Sequence, residues 1–335
     1  MRPMPDLYGA LDLGGTKLRA VVADLEGNIC GEIIRPSEAD QGPDRVIDRM
    51  IETVEAAAKE AGASVSRLRA VGVASPGALD LVRGLVTEAP QLPGWNGVPL
   101  VEIMSERLGV PVLLENDANA AALGENRFGA GRGTRFMVYL TISTGVGGGI
   151  IIDGKVYHGV SGSAGELGHM VVWFNGPRCL CGERGCLEAI ASGTGLAWRA
   201  RDLVDRGEAP GLDRILREKG ELDADEIADA ARAGDEQALR LFDEAGLYLG
   251  VALANYVNIF NPEMIVLGGG VVSGAGDLFF DHSERIMRQL ARNEPLKYVR
   301  LERTALGDRS GPLGMIAALG DMSNAGIGRH RGRGT

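Results

Sequence analysis

Aromatic residues are scarce in this chain: Phe, Trp and Tyr together make up 5% of its 335 residues. Long apolar runs are missing as well. The uncharged stretch Phe136 to Ile152 is broken by Thr, Ser and glycines and falls short of the ~20 apolar residues that a membrane helix needs, so no membrane partner is expected. Basic charge is in deficit, with 35 Lys and Arg against 45 Asp and Glu for a net charge of −10, which disfavours a phosphate-backbone-binding surface and hence a nucleic-acid partner. Cysteines number only four, too few for a disulfide framework in a chain that does not need one. Cys30 stands alone, while Cys179, Cys181 and Cys186 cluster, a pattern that suits a metal site in a reducing cytoplasm. The opening residues Met1 to Tyr8, with Arg2, Asp6 and two prolines, carry no apolar secretion signal, so a cytoplasmic location is expected.

What is plentiful is glycine, 50 residues, about twice the usual ~7% share. A hydrophobic fraction of 45% with 24% charge is that of an ordinary globular protein, and at roughly 150 residues per domain the length suggests two domains. Leu7 to Leu13, Leu18 to Asp24 and Ile29 to Ile34 read as a meander of strands. Asp44 to Ala61 has apolar residues at helical spacing, Arg69 to Ala74 reads as a strand, Leu100 to Leu108 as a helix, Val110 to Leu114 as a strand and Ala118 to Asn126 as a helix. A second meander follows: strand Phe136 to Ile142, a glycine turn over Ser143 to Gly148, strand Gly149 to Ile152, and Val156-Tyr157 beyond the hairpin turn Asp153-Gly154. The two meanders share an order, which points to an internal duplication with two glycine turns facing one cleft. Met170 to Trp173 reads as a strand. From Gly195 helices dominate, among them Ala224 to Ala233, Glu236 to Phe260, Ser283 to Arg292 and Gly314 to Met322, with a short strand Met264 to Leu267 between them. The tail from Gly328 to Thr335 is expected to be a frayed, solvated end.

Five motifs carry chemistry. Asp12-Leu13-Gly14-Gly15-Thr16-Lys17 places adjacent glycines after a strand, where backbone N–H groups turn toward an anion, with a hydroxyl, an ammonium and a carboxylate suited to Mg²⁺ beside them; an ordinary hairpin turn is the plain alternative. The spacing is not that of a Walker A loop. Ser143 to Gly149 suits a second phosphate clamp, and Gly268-Gly269-Gly270 ends a strand where a flat ring meets bare backbone. Glu115-Asn116-Asp117 stands at a strand-to-helix junction, where Asp117 serves either as a helix cap or as a carboxylate, kept ionised by the helix dipole, that accepts a hydroxyl proton. Finally, Gly165-Glu166-Leu167-Gly168-His169 followed by Cys179, Cys181, Cys186 and Glu188 offers three thiolates and an imidazole to tetrahedral zinc; four protein ligands make such a site closed and structural, pinning a loop that aims Glu166 and Glu188.

At these residues the sequence resembles the ROK family (repressor, open reading frame, kinase), and among its members most the ATP-dependent kinases that act on glucose. The resemblance spans nearly the whole chain. It implies an α/β, actin-like (ribonuclease H-like) ATPase fold with two α/β domains flanking a cleft, residues 1–116 with 311–335 forming the small one and 117–310 the large one, with a zinc loop at about 166–188. It implies Asp117 as the base for the sugar 6-hydroxyl, Asn116, Glu166, His169 and Glu188 as sugar contacts with Gly77 and Asn96 on nearby loops, and Gly14, Gly15, Thr16, Lys17, Thr144, Gly145, Gly147, Gly268 and Gly269, with Asp12, on the ATP and Mg²⁺ side. His169 would ligate zinc and touch sugar at once. The expected product is glucose 6-phosphate, and the expected state a homo-oligomer, dimer or tetramer. Kinases for fructose, mannose, allose, N-acetylmannosamine or N-acetylglucosamine, polyphosphate as donor, and a non-catalytic sugar sensor are the alternatives. The family's repressors carry an N-terminal helix-turn-helix, for which the residues before Leu7 leave no room.

Overall fold

The computed structural model describes residues 6–324, and the tail from Gly328 to Thr335 lies outside them. The described chain divides into two compact units, one of residues 6–133, 155–164 and 308–324 and the other of residues 134–154 and 165–307.

In the first unit, β1 (Tyr8–Leu13), β2 (Lys17–Ala23) and β3 (Ile29–Pro36) form the expected meander, and α1 (Pro43–Glu60) follows. Pro43 opens α1 and Asp44 sits in its first turn, both suited to a helix N-terminus. Val46, Ile47, Met50, Ile51, Val54, Ala57 and Ala58 recur on one buried face. β4 (Val71–Ser75) precedes a small antiparallel sheet of β5 (Ala78–Asp80), β6 (Leu85–Glu88) and β7 (Asn96–Val98); α2 (Leu100–Leu108), β8 (Val112–Asn116) and α3 (Asp117–Phe128) follow. The main sheet has the order β3-β2-β1-β4-β8, with β1, β4 and β8 parallel. The sequence reading began the second domain at residue 117, but α3 groups with the first unit. The reason is its packing against the C-terminal helix, Ser310–Asn324: a Cβ on Gly314 would lie 1.6 Å from the Ala120 carbonyl oxygen and one on Gly124 2.1 Å from that of Ser310, so the two helices touch backbone to backbone.

The second sheet repeats the plan. β9 (Met137–Ile142) and β10 (Val146–Ile152) are antiparallel, the hairpin turns at Asp153-Gly154 into β11 (Lys155–Val156), and the order is β11-β10-β9-β12-β13 with β12 (Met264–Gly268) and β13 (Arg300–Arg303) parallel to β9. Around it lie α4 (Glu188–Ala191), α5 (Gly193–Asp205), α6 (Pro210–Lys219), α7 (Ala224–Arg232), α8 (Glu236–Phe260), α9 (Gly270–Ala275), α10 (Phe280–Leu290) and α11 (Asn293–Leu296). α8 is buried along most of its length, from Leu241 and Phe242 to Tyr256 and Val257. A meander followed by two parallel strands, built twice, is the topology of the actin-like ATPase fold.

Two local expectations are corrected. Val146, Gly147 and Gly148 read as turn but lie in β10, because the ladder to β9 starts at Val146 opposite Ile142. Met170 to Trp173 is not a strand; it makes a single bridge, Val171 to Cys186, and its other backbone contacts tie it to the cysteine loop.

Candidate active site and metal centre

In both main sheets the glycine turns and the acidic motif fall at the carboxyl ends of strands, the edge at which open α/β sheets bind ligands. In the first unit the register aligns Asp12 of β1 with Ala74 of β4, and Ala74 with Glu115 of β8. Ser75 pairs with Asn116, which holds Asn116 extended (φ −67°, ψ 142°). Asn116 is therefore the helix cap, accepting from the Ala118 and Asn119 amides at 3.0 and 3.2 Å, and Asp117 is the first residue of α3. The cap role that the sequence left open for Asp117 belongs to its neighbour. Behind them Glu115, nearly buried, accepts from the Asn116 amide and from Asn119 Nδ2, and its Oε2 lies 2.8 Å from His158 Nε2. That hydrogen bond holds His158 above its ordinary value.

Asp12 is strongly perturbed. Burial, then the negative charge of Asp117, push its carboxyl up to about 7, while Arg19 and Lys17 pull the other way. Neither Gly14 nor Gly15 has a positive φ, so the anion nest expected there is not the reason for glycine. A Cβ on Gly14 would stand 2.9 Å from the Lys17 carbonyl oxygen, which accepts the Gly14 amide at 3.0 Å, and this tight reversal is what excludes a side chain. Buried Ser37 buttresses the turn through its amide to the Thr16 carbonyl and its hydroxyl to that of Gly15. No local signal in the sequence marks Ser37. Lys17 is exposed and pairs with Asp308 at 2.6 Å. Gly77 follows β4 with φ +91°, and Asn96 is exposed on β7.

The second unit holds the other candidates. Thr144 and Gly145 form the turn between β9 and β10, and Gly147 sits in β10 opposite Thr141. Gly268 ends β12, and Gly269 (φ +95°) caps α9 where a Cβ would lie 2.4 Å from the Ile142 carbonyl oxygen. A cavity of about 340 Å³ opens here, lined by Ser143, Thr144, Gly193, Thr194, Asp223, Asp225 and Gly270 among others. It gathers the N-terminal ends of α5, α7 and α9, whose partial positive charges suit an anion. Sequence reasoning missed Gly193, Thr194, Asp223 and Asp225, which are far apart in the chain and meet only here.

His169 ends a 3₁₀ turn, Leu167–His169, that is held by the buried Tyr256 of α8, whose hydroxyl donates to the Leu167 carbonyl at 2.7 Å. The ligand atoms of His169, Cys179, Cys181 and Cys186 all lie within 4.8 Å of one another. Cys179 Sγ is 3.7 Å from His169 Nδ1, and Cys181 Sγ 3.7 Å from Cys186 Sγ. A tetrahedral zinc with Zn–S of about 2.3 Å has S–S edges of about 3.8 Å, so the donor set and its spacing are compatible with structural zinc. Burial pushes the Cys179 thiol up to about 12 and also raises that of Cys186. Thiols of that kind reach the ligating thiolate form only with a cation to offset the cost. Gly185 (φ +76°) shapes the loop, with room for a Cβ only 1.7 Å from the Trp173 carbonyl oxygen. The His169 ring turns Nδ1 to the cysteines and Nε2 toward Glu166, 3.8 Å away and exposed. Glu188 opens α4, and its Oε2 accepts the Val146 amide at 2.9 Å, so it braces the Thr144-Gly145 turn from below.

An actin-like pair of α/β units with a glycine turn at each sheet edge and a Cys₃His cluster defines a class of protein. The chain matches the ROK family over residues 8–321 and belongs to it. It is 40% identical over 270 residues to a glucokinase of Thermotoga maritima, covering 81% of this chain and 83% of that one. It is 34% identical to a putative xylose repressor of a Caldicellulosiruptor species, covering 93% of this chain and 78% of the repressor. Among solved structures it resembles a ROK family glucokinase from Streptomyces griseus in complex with glucose and AMPPNP, with a TM-score of 0.77 and 34% identity over 93% of this chain and 98% of that one. No helix among the described residues is long and apolar enough to cross a membrane.

Proposed function

We propose that the protein phosphorylates a hexose, glucose before others, at O6 with ATP, giving the sugar 6-phosphate and ADP. The observation that carries this reading is the placement of Asp117: first residue of α3, at the carboxyl end of β8, beside the capping Asn116 and with its Oδ1 held by the Ala118 amide at 2.8 Å. Asp117 accepts the O6 proton as the hydroxyl attacks the γ-phosphorus, and the N-terminal end of α3 favours its ionised form beforehand. Positioning and charge neutralisation supply most of the remaining acceleration.

Glu166, His169, Glu188, the free amide group of Asn116, Asn96 and the backbone at Gly77 are assigned to the sugar hydroxyls. Asp12, Gly14, Gly15, Thr16 and Lys17 are assigned to the phosphates from the first unit, and Thr144, Gly145, Gly147, Gly268 and Gly269 to the nucleotide from the second, together with the cavity under Gly193 and Thr194. Asp12 offers a hard oxygen donor whose own environment disfavours a bare negative charge, which fits Mg²⁺. Asp12 would hold Mg²⁺ there, and the ion would supply charge neutralisation to the nucleotide's phosphates. His169, Cys179, Cys181 and Cys186 hold zinc, which orders the loop bearing Glu166 and Glu188.

The test is an ADP-release assay across hexoses, run on the protein and on Asp117→Asn. Glucose is expected to give the highest kcat/KM, and the variant to lose about 10²- to 10⁴-fold in kcat with its glucose KM little changed. Near-normal turnover in the variant removes Asp117 from the role. A better hexose than glucose keeps the reaction and changes the substrate. Sugar binding with no ADP release places the chain with sugar-responsive regulators.

A further inference from the structure

We propose that Asp308 is a built-in competitor for the nucleotide's phosphates, occupying Lys17 when the nucleotide is absent and setting how tightly the triphosphate binds. This rests on the reading of Lys17 as a phosphate ligand. Lys17 Nζ lies 2.6 Å from Asp308 Oδ2, and Arg19 Nη2 lies 3.1 Å from the same oxygen. One carboxylate oxygen thus takes an ammonium and a guanidinium together, the way a phosphate oxygen does. Arg19 is the fixed partner. Its side chain is 11% exposed, and it also pairs with Glu32, which Arg309 clamps from the far side at 3.1 and 2.5 Å. Lys17 and Asp308 are the exchangeable ones, 52% and 62% exposed, on the solvent edge of the cluster.

The sequence keeps this competitor in place cheaply. Asp308 lies in the 3₁₀ turn Gly307–Arg309 directly before the C-terminal helix, so the fold of the first unit delivers it to Lys17 across a separation of 291 residues. The Lys17 hydrogen bond, ahead of the attraction of Lys17 and Arg19, holds Asp308 below the ordinary carboxylate range, so it stays charged at neutral pH. A triphosphate arriving at Lys17 meets that charge. One unit of like charge at about 4 Å in water-like surroundings is worth about fivefold in affinity. The exchange costs Arg19 little, because Glu32 keeps it paired.

The experiment is calorimetric titration of Mg·AMPPNP into the full chain with glucose present, for the unaltered protein, Asp308→Asn, Lys17→Met and the double variant, at low and raised salt. Asp308→Asn is expected to bind AMPPNP about three- to tenfold more tightly, with the gain shrinking as salt screens the exposed charges. Lys17→Met is expected to bind more weakly, and the gain from Asp308→Asn to be smaller in the Lys17→Met background than in the unaltered protein. Unchanged or weaker binding by Asp308→Asn, with Lys17→Met weakened, overturns the competitor role while leaving Lys17 on the phosphates. Unchanged binding by Lys17→Met overturns the reading beneath it. A gain that is undiminished in the double variant overturns the pairing. Asp308→Ser, which lacks the amide, serves as the second variant, and each protein's thermal midpoint shows that it is folded.

Discussion

Replacing Asp12 by Asn tests both the electrostatics of the first unit and the reason for keeping a carboxylate there. The carboxyl rises from 3.8 to about 7, chiefly through burial and then through Asp117. A value higher in the folded than in the unfolded chain means that the native protein binds a proton which the unfolded chain has already lost. The associated stability is fully present below about pH 4 and is lost as pH climbs through about 7. At 1.36 kcal/mol per pH unit the rise corresponds to about 4 kcal/mol; Asp12 keeps part of its surface accessible to water, so we take half, about 2 kcal/mol. Asn has the same shape and no charge to bury. In urea unfolding followed by the fluorescence of Trp95, which is buried in the same unit, Asp12→Asn should differ little from the unaltered protein near pH 4.5 and exceed it by about 2 kcal/mol near pH 8. Its affinity for Mg·AMPPNP should fall at both pH values, since the carboxylate retained at a cost to stability is there for a cation. A stability difference that is equal at the two pH values, or smaller at pH 8, refutes the reasoning.

Other perturbations read other parts of the fold. Gly314→Ala drives a methyl into the Ala120 carbonyl and should destabilise the first unit by about 3 kcal/mol in the same unfolding assay; an unchanged midpoint would mean that the helices separate freely. Elemental analysis should find about one zinc per chain, and its removal by a strong chelator should expose three thiols to a thiol reagent and weaken glucose binding, whereas full glucose affinity without metal would leave the loop no role in the sugar site. His158→Gln should cost stability near pH 6 and nothing above about pH 8, because the Glu115 hydrogen bond raises the His158 value and its contribution is present below about 6.5 and lost as pH rises through the folded value; with its side chain 37% exposed, the cost should stay under about 1 kcal/mol in urea titrations at the two pH values.

Where a segment buries one face through its own periodicity, the sequence announces it. α2 and α8 have the bounds that spacing predicts, and both meanders are legible because their strands are nearly continuous apolar runs. β5, β6 and β7 are three or four residues long and partly exposed, too short to display alternation, and they go unread. Val146-Gly147-Gly148 has the composition of a turn but is recruited by β9, a case of tertiary pairing overriding local preference. Met170 to Trp173 has the composition of a strand but no neighbouring strand to extend. Asn116 and Asp117 are both good caps in succession, and only the Ser75 pairing decides between them. The grouping of His169 with Cys179, Cys181 and Cys186 was readable because they cluster in sequence. The lining of the cavity beside Thr144 was not, because Gly193, Asp223 and Gly270 come together only through three separate helix starts.

The duplicated frame has been put to two different uses. The first turn is surrounded by side-chain charge, with Asp12, Lys17, Arg19, Asp117 and Asp308 all acting on one another. The second turn has around it no basic side chain in the cavity lining; backbone, helix starts and the carboxylates of Asp223 and Asp225 lie there, and its own support comes from Glu188 through the Val146 amide. Glu188 is two residues past Cys186, with fully buried Leu187 between them tied to Met170 by its amide. Through Leu187 and Glu188 the cysteine loop is therefore linked directly to the Thr144-Gly145 turn, so that a displacement of Cys186 is passed on to Glu188 and Val146. For this reason loss of the proposed metal should loosen the nucleotide as well as the sugar, even though His169, Cys179, Cys181 and Cys186 do not line the cavity assigned to the nucleotide. A chelated protein that binds AMPPNP as before while losing glucose would show that the brace at Val146 does not transmit.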